Sequence, residues 1–207
     1  IRRVDAADAA AMARFVGALE PQARRWRFHG AVKASERVAA LLTQADGVRH
    51  AAWVATVTTD DGVEQIVGEA RYVRDADDPA SAELAIAVAA GWRGCNVAGS
   101  LLQALTHAAQ AAGVQRLVAD VLSDNARRLA FMQRRRDGAG YDAGRCGDAG
   151  SLRLERSLPP CGTGAARGGV ARGRDGSALG VAAKSICAPA LMALTPAPTL
   201  RESRQTG

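Results

Sequence analysis

Residues 82–105, AELAIAVAAGWRGCNVAGSLLQAL, form the stretch that decides the fold. From Glu83 to Val88, larger apolar side chains alternate with small ones, which is typical of a strand that buries one face. A loop of small residues, WRGCNVAGS, follows the strand. From Val97 the apolar residues recur at helical spacing until Gly113, a residue type that commonly ends helices. The stretch therefore predicts a strand, a tight loop and a long helix.

The start of this predicted helix is a candidate anion site. Its loop brings almost no side-chain bulk to the helix N-terminus, where unpaired N–H groups and the positive end of the helix dipole attract an anion, most often a phosphate. The alternative is an ordinary strand, turn and helix in which the glycines only make the turn.

The loop resembles the motif Q/R-x-x-G-x-G/A of the GNAT N-acyltransferases, with Arg93 and Ala98 at matching positions. Asn96 stands where that family has Gly, but Asn tolerates a left-handed backbone better than other side chains do. Cys95 and Ser100 stand where the family often has basic residues. The resemblance implies that this segment holds the pyrophosphate of acetyl-CoA. The cofactor-binding residues it implies are Ala87, Val88, Arg93, Gly94, Asn96, Val97, Ala98, Gly99, Ser100 and Asn125.

The order of predicted elements extends the resemblance to most of the chain. A short strand at residues 1–4 precedes three helices and a hairpin that turns at residues 60–62. Strand, helix, strand and helix follow, and then a last pair of strands at residues 141–145 and 151–156. This order is similar to that of the GNAT family over residues 1–157. The expected fold class is therefore α/β (α+β), with a mixed central sheet flanked by helices.

Asn125 opens the pattern N-x-x-x-L-x-F-M, which resembles a second GNAT motif, in which the Asn side chain touches the cofactor. The alternative is that Asn125 only caps helix backbone. Ser123 or Asp124 is predicted to cap a helix that runs from Asn125 to about Arg135. Many members of the family place a Tyr general acid seven residues after the Asn. This chain has Met132 there, which leaves the general acid unassigned.

Residues 19–28, LEPQARRWRF, resemble the segment L-S-P-E-S-R-Y-x-R-F of bacterial GNATs that acetylate protein lysines. In those proteins the segment borders the acceptor, so the resemblance implies that Arg24, Trp26 and Arg27 lie in the acceptor region. The alternative is a basic helix face on solvent, with Trp26 and Phe28 in the core.

The resemblance implies an N-acetyltransferase that moves an acetyl group from acetyl-CoA directly to a primary amine, either a protein lysine or a small amine. Such a transfer needs a base that takes a proton from the ammonium group. Glu83 is the candidate, because it resembles the strand glutamate of lysine-acetylating members; the alternative is an exposed glutamate at a strand start. A backbone N–H near Val88 would donate to the thioester oxygen.

Two other functions stay open at this point. One is a non-catalytic regulatory module of the same fold that binds acyl-CoA, which the departures at Cys95, Asn96 and Met132 would explain. The other is nucleic-acid binding through the basic end of the chain. The residues from 159 onward contain six basic and two acidic residues, and thus +4 of the net charge of +6. Charge concentrated in one tail argues only weakly for a nucleic-acid partner.

The chain of 207 residues is expected to divide after residue 158. All eight aromatic residues lie at or before Tyr141, whereas residues 159–207 contain eight Gly and five Pro and no aromatic residue. Such a composition buries too little apolar surface to fold. We therefore predict a GNAT acetyltransferase domain over residues 1–158 and a disordered Gly/Pro/Arg-rich tail over residues 159–207.

The cysteine and histidine content and the lack of targeting segments limit the cofactors and locations that the sequence predicts. Four cysteines and three histidines are scattered without metal-ligand spacing, so neither a metal site nor a disulfide framework is predicted. A cytoplasmic location is expected, and no signal peptide or membrane-spanning run is visible. Because the chain begins at Ile1 rather than Met, we expect sequence upstream of it, such as a further domain.

Overall fold

The computed structural model describes residues 1–133, 142–145 and 151–159. These residues form one mixed sheet in the order β1-β2-β3-β4-β5-β7-β6, flanked by helices, which confirms the expected fold class. Apart from Pro159, the predicted tail lies outside the described residues, as does Tyr141. The strands are β1 (Arg2–Arg3), β2 (His50–Thr58), β3 (Glu64–Arg74), β4 (Ser81–Val88), β5 (Arg116–Leu122), β6 (Asp142–Arg145) and β7 (Ser151–Ser157). The helices are α1 (Ala9–Ala18), α2 (Pro21–Phe28), α3 (Glu36–Thr43), α4 (Val97–Ala111) and α5 (Ala126–Gln133).

Strands β4 and β5 form the one parallel pair among the described strands, and the other pairs are antiparallel. Parallel neighbours need a crossover connection, which α4 provides across one face of the sheet. The hairpin between β2 and β3 turns at residues 60–62 as predicted, where Gly62 has a φ of 78°. The parallel pair therefore lies between two antiparallel ribbons, near the middle of the sheet.

Two apolar cores lie on opposite faces of this sheet. On one face, the leucines of α4 pack against the strands, and Met132 of α5 joins the same core. On the other face, α1 to α3 form a second core that includes Phe15 and Phe28. Ala87 of β4 packs against this second core from the same face of the sheet.

The starts of α1 and α3 differ in how they are capped. The Asp5 side chain caps a 3-10 turn over Ala6–Asp8, and α1 follows directly at Ala9 without a side-chain cap of its own. Helix α3 begins at Glu36, where the Ser35 hydroxyl accepts from the N–H of Val38.

The predicted cap of α5 is wrong by one or two residues. Helix α5 begins at Ala126, and the Asn125 side chain accepts from the N–H of Arg128 at 3.1 Å. Asn125 is therefore the cap, rather than Ser123 or Asp124. The Asp124 carboxylate is unavailable for capping because side chains of α2 hold it.

A buried ionic network ties α2 and α3 to β3. Glu69 accepts from the Arg27 Nε at 3.1 Å and from Arg71, and these three side chains are almost fully buried. Arg71 also donates to the Leu42 carbonyl and to the His50 Nε2, each at 2.9 Å. Burial raises the pKa of Glu69, but the two guanidinium groups outweigh burial and lower that pKa to about 2.

Glu69→Gln should lower the free energy of unfolding at pH 7 by about 3–5 kcal/mol, because it leaves two buried guanidinium groups without their shared carboxylate. A carboxyl with a lowered folded-state pKa stabilises above its unfolded pKa, and this contribution is lost as the pH falls toward 2. The cost of the substitution should therefore shrink between about pH 5 and pH 2. Urea denaturation at both ends of this range measures it.

Glu64→Gln is the matched control, because Glu64 pairs with Arg2 on the exposed edge of the sheet. Solvent screens such a pair, so this variant should unfold almost as the wild type does. Equal effects of the two substitutions would contradict a structural role for the buried network.

Candidate active site

The central feature of the site is the point at which β4 and β5 part. The two strands pair over only three residues, from Ser81 with Arg116 to Glu83 with Val118. Strand β4 nevertheless continues to Val88. Beyond Glu83 the edge of β4 that faces β5 therefore has no strand partner, and its backbone N–H and C=O groups point into a gap in the sheet.

The polar groups that face this gap follow from strand alternation. The Ala89 N–H donates to the Val67 carbonyl of β3 at 2.9 Å, so the neighbouring Val88 directs its backbone groups to the opposite edge. The carbonyl of Ile86 lies on that same edge, where it accepts from the Nη1 of Arg128 at 2.8 Å. The N–H of Val88, the predicted donor to a thioester oxygen, is thus on the open edge.

The N-terminus of α4 lies beside the end of β4. Gly94 has a φ of 90° and Asn96 a φ of 58°, which confirms that Asn adopts the left-handed conformation here. The first helical hydrogen bond runs from the Ser100 N–H to the Asn96 carbonyl at 3.1 Å. The N–H groups of residues 97–99 therefore lie before the helical ladder and remain directed at the helix start, as an anion site requires.

The Asn96 side chain shapes this helix start. It makes no capping hydrogen bond, and its amide lies directly over Gly99, where an added Cβ would overlap it. A side chain at position 99 would therefore displace the Asn96 amide. The amide occupies space that Gly would leave open in front of the first helical turn.

A cleft of about 720 Å³ joins the helix start to the gap in the sheet. Three predicted site residues do not line it: Glu83, Ser100 and Arg24. The side chain of Ser100 follows the first turn of α4, and Arg24 lies on α2 away from the cleft. The predicted residues that do line it are Trp26, Arg27, Ala87, Val88, Arg93, Gly94, Asn96, Val97, Ala98, Gly99 and Asn125.

The charge of the cleft is predominantly positive. Its lining includes Arg27, Arg93, Arg127 and Arg128 against one carboxylate, that of Glu20. Arg93 donates to the Glu20 carboxylate at 3.0 Å, so the predicted phosphate-binding arginine is held to the start of α2. Arg27 is paired with buried Glu69 and Arg93 with Glu20, so the positive charge of the lining is partly compensated. The remaining excess of guanidinium groups over carboxylates still favours an anionic ligand.

Helix α2 is fixed over the gap by Asp124, at the end of the β5–α5 connection. The Asp124 carboxylate accepts from Arg25 at 2.6 Å, from the Trp26 indole N–H at 2.8 Å and from Gln22 at 3.1 Å. The interpretation of α2 as a solvent-facing basic helix is wrong for Arg27, which pairs with buried Glu69. Trp26 is half-buried against the cleft rather than in the core.

Polar side chains gather on the α2 side of the parting strands. Glu83 is 9% exposed, which excludes the exposed glutamate considered from the sequence. Asp120 of β5 has a side chain that is 4% exposed, and its Oδ1 accepts no hydrogen bond from the described residues. Burial raises the pKa of Asp120, Arg153 lowers it, and the Glu83 charge raises it further. The two carboxylates therefore lie close enough to interact.

His29 ends α2 in the left-handed conformation, and the charges of the same two carboxylates act on its imidazole. Burial lowers the pKa of His29, while the charges of Asp120 and Glu83 oppose that shift. A neutral imidazole is therefore the expected form beside two carboxylates. Glu83, Asp120 and His29 together form a polar group, which we call the carboxylate cluster.

The described part of the chain was also searched for metal sites and membrane-spanning helices. It contains no group of three or more His, Cys, Asp or Glu side chains arranged to hold a metal ion. No helix in this part is both long and apolar enough to span a bilayer.

The family of the chain follows from comparison with known proteins. Residues 19–137 match the acetyltransferase (GNAT) family. The chain belongs to this family. The match includes α2, the gap and the whole of α4 and α5, so the whole cleft lies within the GNAT region.

Two relatives are proteins named Pat. The chain is 27% identical to the GNAT domain of S. lividans PAT, with a TM-score of 0.66 over 76% of this chain and 89% of that one. It is 31% identical over 108 residues to acetyltransferase Pat of Mycolicibacterium smegmatis, covering 52% of this chain and 32% of that relative. The chain thus spans about a third of the length of the curated relative it matches.

A third similar structure is the cAMP-binding acyltransferase from Mycobacterium smegmatis. It is 27% identical to this chain, with a TM-score of 0.50 over 77% of this chain and 43% of that protein. The region of similarity is again the GNAT part of a longer protein.

The sequence did not reveal the positions of three polar residues in this GNAT site: Asp124, Asp120 and Arg128. Asp124 was assigned to helix capping, but the pattern of Arg25 and Trp26 on one short helix gave no sign of their common partner. The position of Asp120 beside Glu83 depends on how β4 and β5 pair, which the sequence does not show. Arg128 received no role, because sequence alone does not show that α5 carries it across the gap to the edge of β4.

Ala98→Trp should weaken CoA binding by at least about tenfold, because the indole would block the N–H groups at the start of α4. Isothermal calorimetry with CoA measures the affinity, and a melting curve verifies folding. Ala111→Trp, at the exposed far end of the same helix, should bind CoA as the wild type does. Equal affinity of the wild type and a folded Ala98→Trp variant would contradict this anion site.

Asn96→Gly should keep or raise the affinity for CoA. Gly adopts the left-handed conformation of this position without strain, and it removes the amide from the front of the helix start. The same calorimetric titration tests this. A marked loss of affinity would mean that the Asn96 side chain itself contacts the ligand.

Proposed function

We propose that this GNAT domain transfers an acetyl group from acetyl-CoA directly to a primary amine. The proposal rests on one cleft, which connects the N–H groups at the start of α4 with the unpaired edge of β4. The first feature suits the pyrophosphate of CoA, and the second offers backbone donors to a thioester. When bound, acetyl-CoA would supply the activated acetyl group.

The residues present fit the anionic part of acetyl-CoA. The N–H groups of residues 97–99 would donate to the pyrophosphate at the end of β4. Arg93 and Arg127 line the same cleft and would add charge-assisted hydrogen bonds to phosphate oxygens. Arg93 would then share its guanidinium between the ligand and Glu20, with which it pairs at 3.0 Å.

The edge of β4 would orient the reacting thioester. The Val88 N–H points into the gap and is the donor that we assign to the thioester oxygen. In an extended strand, Glu83 lies about 16 Å before Val88 along β4. Glu83 lies outside the cleft lining, so we propose that it takes the ammonium proton through bound water. Asp120, beside it, would share the acceptor side of the gap.

The acceptor would approach from the carboxylate cluster. Buried carboxylates favour a cation, which an ammonium group is before it loses its proton. We propose a protein lysine or a small amine as acceptor; the resemblance of residues 19–28 to a segment of lysine-acetylating GNATs favours the protein lysine. In this arrangement Trp26 forms part of the wall between the acceptor and the cleft, while Arg27 supports that wall through Glu69.

A second candidate function is a non-catalytic module that binds acyl-CoA. The observation that favours it is the Asn96 amide in front of the helix start, together with Met132 in the core where many members of the family have a Tyr acid. Calorimetry and a thiol-release assay separate the two functions. Tight binding of acetyl-CoA without turnover for any amine would favour the module.

Glu83→Gln should lower turnover at pH 7 by roughly 10²–10⁴-fold with little change in CoA affinity, since Gln keeps the size of Glu but accepts no proton. The variant should regain activity toward pH 10, where the amine loses its proton unaided. Thiol release from acetyl-CoA with an amine acceptor measures both effects. Glu36→Gln, on the exposed start of α3, is the control and should retain full activity; full activity of Glu83→Gln would remove Glu83 as the base.

A further inference from the structure

We propose that the Oδ1 atom of Asp120 binds the ammonium group of the acceptor amine, next to Glu83. This inference rests on the proposed acetyl transfer and deepens it, because it assigns one residue to the recognition of the acceptor. It also restricts the acceptor to primary amines on a slim aliphatic stem, such as the side chain of lysine. The register of the sheet, a buried oxygen without a donor and the charge of the carboxylate cluster support it.

The register of the sheet places Asp120 and Glu83 on one face, at the point where the strands part. Glu83 pairs with Val118, the last residue of β5 that pairs with β4. Because side chains alternate along a strand, Asp120 lies on the same face as Glu83 and one step further into the gap. Ala119 and Val121, on either side of Asp120, belong to the core beneath α4. The Asp120 carboxylate is therefore on the α2 face of the sheet.

The part of β4 that lies across the gap from Asp120 carries little side-chain bulk. If the pairing of the two strands continued in register, Ala85 would be the partner of Asp120, but the strands part before this level. Ala85 presents a methyl group, and Ala87 follows it on the same face. This side of the gap therefore leaves more room beside the Asp120 carboxylate than longer side chains would.

Asp120 carries a buried oxygen without a hydrogen-bond donor. Its side chain is 4% exposed, and Oδ1 accepts no hydrogen bond from the described residues. Oδ2 lies 4.0 Å from the Nη1 of Arg153, which is longer than a hydrogen bond, and the Nε of Arg153 lies 3.5 Å from Glu155. Buried carboxylate oxygens are normally paired, because burial without a donor is costly. Oδ1 is thus suited to a donor that a ligand brings.

The carboxylate cluster has an excess of negative charge. Glu83 and Asp120 are both buried, and the charge of Glu83 raises the pKa of Asp120 beyond the effect of burial. His29 does not balance them, because burial lowers its pKa and its ring bonds to the Asp120 backbone rather than to the carboxylate. Arg153 supplies one positive charge, which Glu155 shares. A bound cation would balance the second carboxylate.

A primary ammonium group fits this position well. It has three N–H donors, so one donates to Oδ1 of Asp120 while another faces the water through which Glu83 takes a proton. The described residues include no group of His, Cys, Asp or Glu side chains arranged for a metal ion instead. Because both carboxylates are almost fully buried, an unbranched alkyl stem brings an ammonium group to them with the least displacement of α2.

The protons of the reaction balance in this arrangement. Glu83 takes one ammonium proton through water, and the neutral amine keeps an N–H bond to Asp120. As the nitrogen bonds to the thioester carbon it becomes positive again, and ionised Asp120 stabilises that charge. The carbon–sulfur bond breaks with its electron pair on sulfur, and the second nitrogen proton passes through water to the thiolate. Glu83 then returns its proton to solvent, and the amide product is neutral.

The first test measures amine binding without turnover. In the full chain labelled with carbon-13 aspartate, the carboxyl carbon signal of Asp120 gives its pKa in a pH titration. Saturating n-butylammonium chloride, which matches the end of a lysine side chain, should lower this pKa by about one unit or more, because a bound cation favours the ionised form. Tetramethylammonium chloride at the same concentration has no N–H donor and should leave this pKa unchanged.

The second test measures acetyl transfer to n-butylamine. Asp120→Asn should raise the KM for this amine about 10–100-fold, the loss expected for a hydrogen bond between charged groups, with the KM for acetyl-CoA unchanged. Asp120→Glu keeps the charge and should restore part of the loss. Asp60→Asn, in the exposed turn between β2 and β3, is the matched control and should act as the wild type does.

A matched pair of acceptors tests the slim stem. Nα-acetyl-lysine methylamide offers its side-chain amine, whereas Nε-acetyl-lysine methylamide offers the amine beside the backbone. The first compound should be the better acceptor, and Asp120→Asn should reduce this preference. A purely structural role of Asp120 would lower thermal stability without changing the preference.

The outcomes separate this inference from the proposed acetyl transfer. If the wild type binds acetyl-CoA but acetylates no amine, the acetyl transfer fails, and the n-butylammonium titration still decides whether Asp120 binds an ammonium group. If n-butylammonium leaves the pKa of Asp120 unchanged, or tetramethylammonium lowers it equally, the role of Asp120 alone is overturned. A folded Asp120→Asn variant with the wild-type KM for n-butylamine also overturns it. The wild-type titration decides the point even if that variant does not fold.

Discussion

The missing hydrogen bonds between β4 and β5 are the constraint on which the rest of the site depends. A sheet pairs its backbone groups strand by strand, and an unpaired edge inside a fold must find other partners. Beyond Glu83 and Val118 this sheet does not close. The Ile86 carbonyl is satisfied by Arg128, and the N–H of Val88 is left facing the cleft. The fold thereby keeps part of a strand edge available to a ligand near the middle of the molecule.

Electrostatic contacts from α2 hold the gap in its present shape. Glu20, just before α2, pairs with Arg93 on the α4 side of the gap, and Asp124, on the β5 side, binds three side chains of the helix. On its buried face, α2 carries Arg27, which pairs with Glu69 of β3. Each exposed pair contributes little to stability. The buried pair is costly to break, because removing one charge leaves the other away from water without a partner. The helix is therefore anchored through its buried face and aligned by its surface contacts.

The proposed cofactor and acceptor sides of the site differ in charge. Arginines dominate the cleft, and the carboxylate cluster lies on the α2 side of the parting strands. Arg128 lines the cleft and contacts the Ile86 carbonyl at the open edge of β4. The proposed reaction transfers an acetyl group from an anionic carrier to a cationic amine, so this separation of charge matches both substrates.

The sequence by itself determined the order of the elements, the fold class and the position of the helix start at which we propose an anion site. Those features depend on local patterns: alternation in β4, helical spacing in α4, and small residues with a left-handed Asn96 between them. The alternation in β4 also predicted that Glu83 lies on this strand, but it did not predict that Glu83 is buried.

Only the tertiary structure decided which polar side chains meet. Asp124 lies about a hundred residues from its partners on α2, and Glu69 lies 42 residues from Arg27. Arg128 reaches Ile86 across the same separation of 42 residues, because the sheet opens at that level. Contacts of this kind leave no periodic signal in the chain, since each depends on how far two strands diverge and on where a helix crosses them.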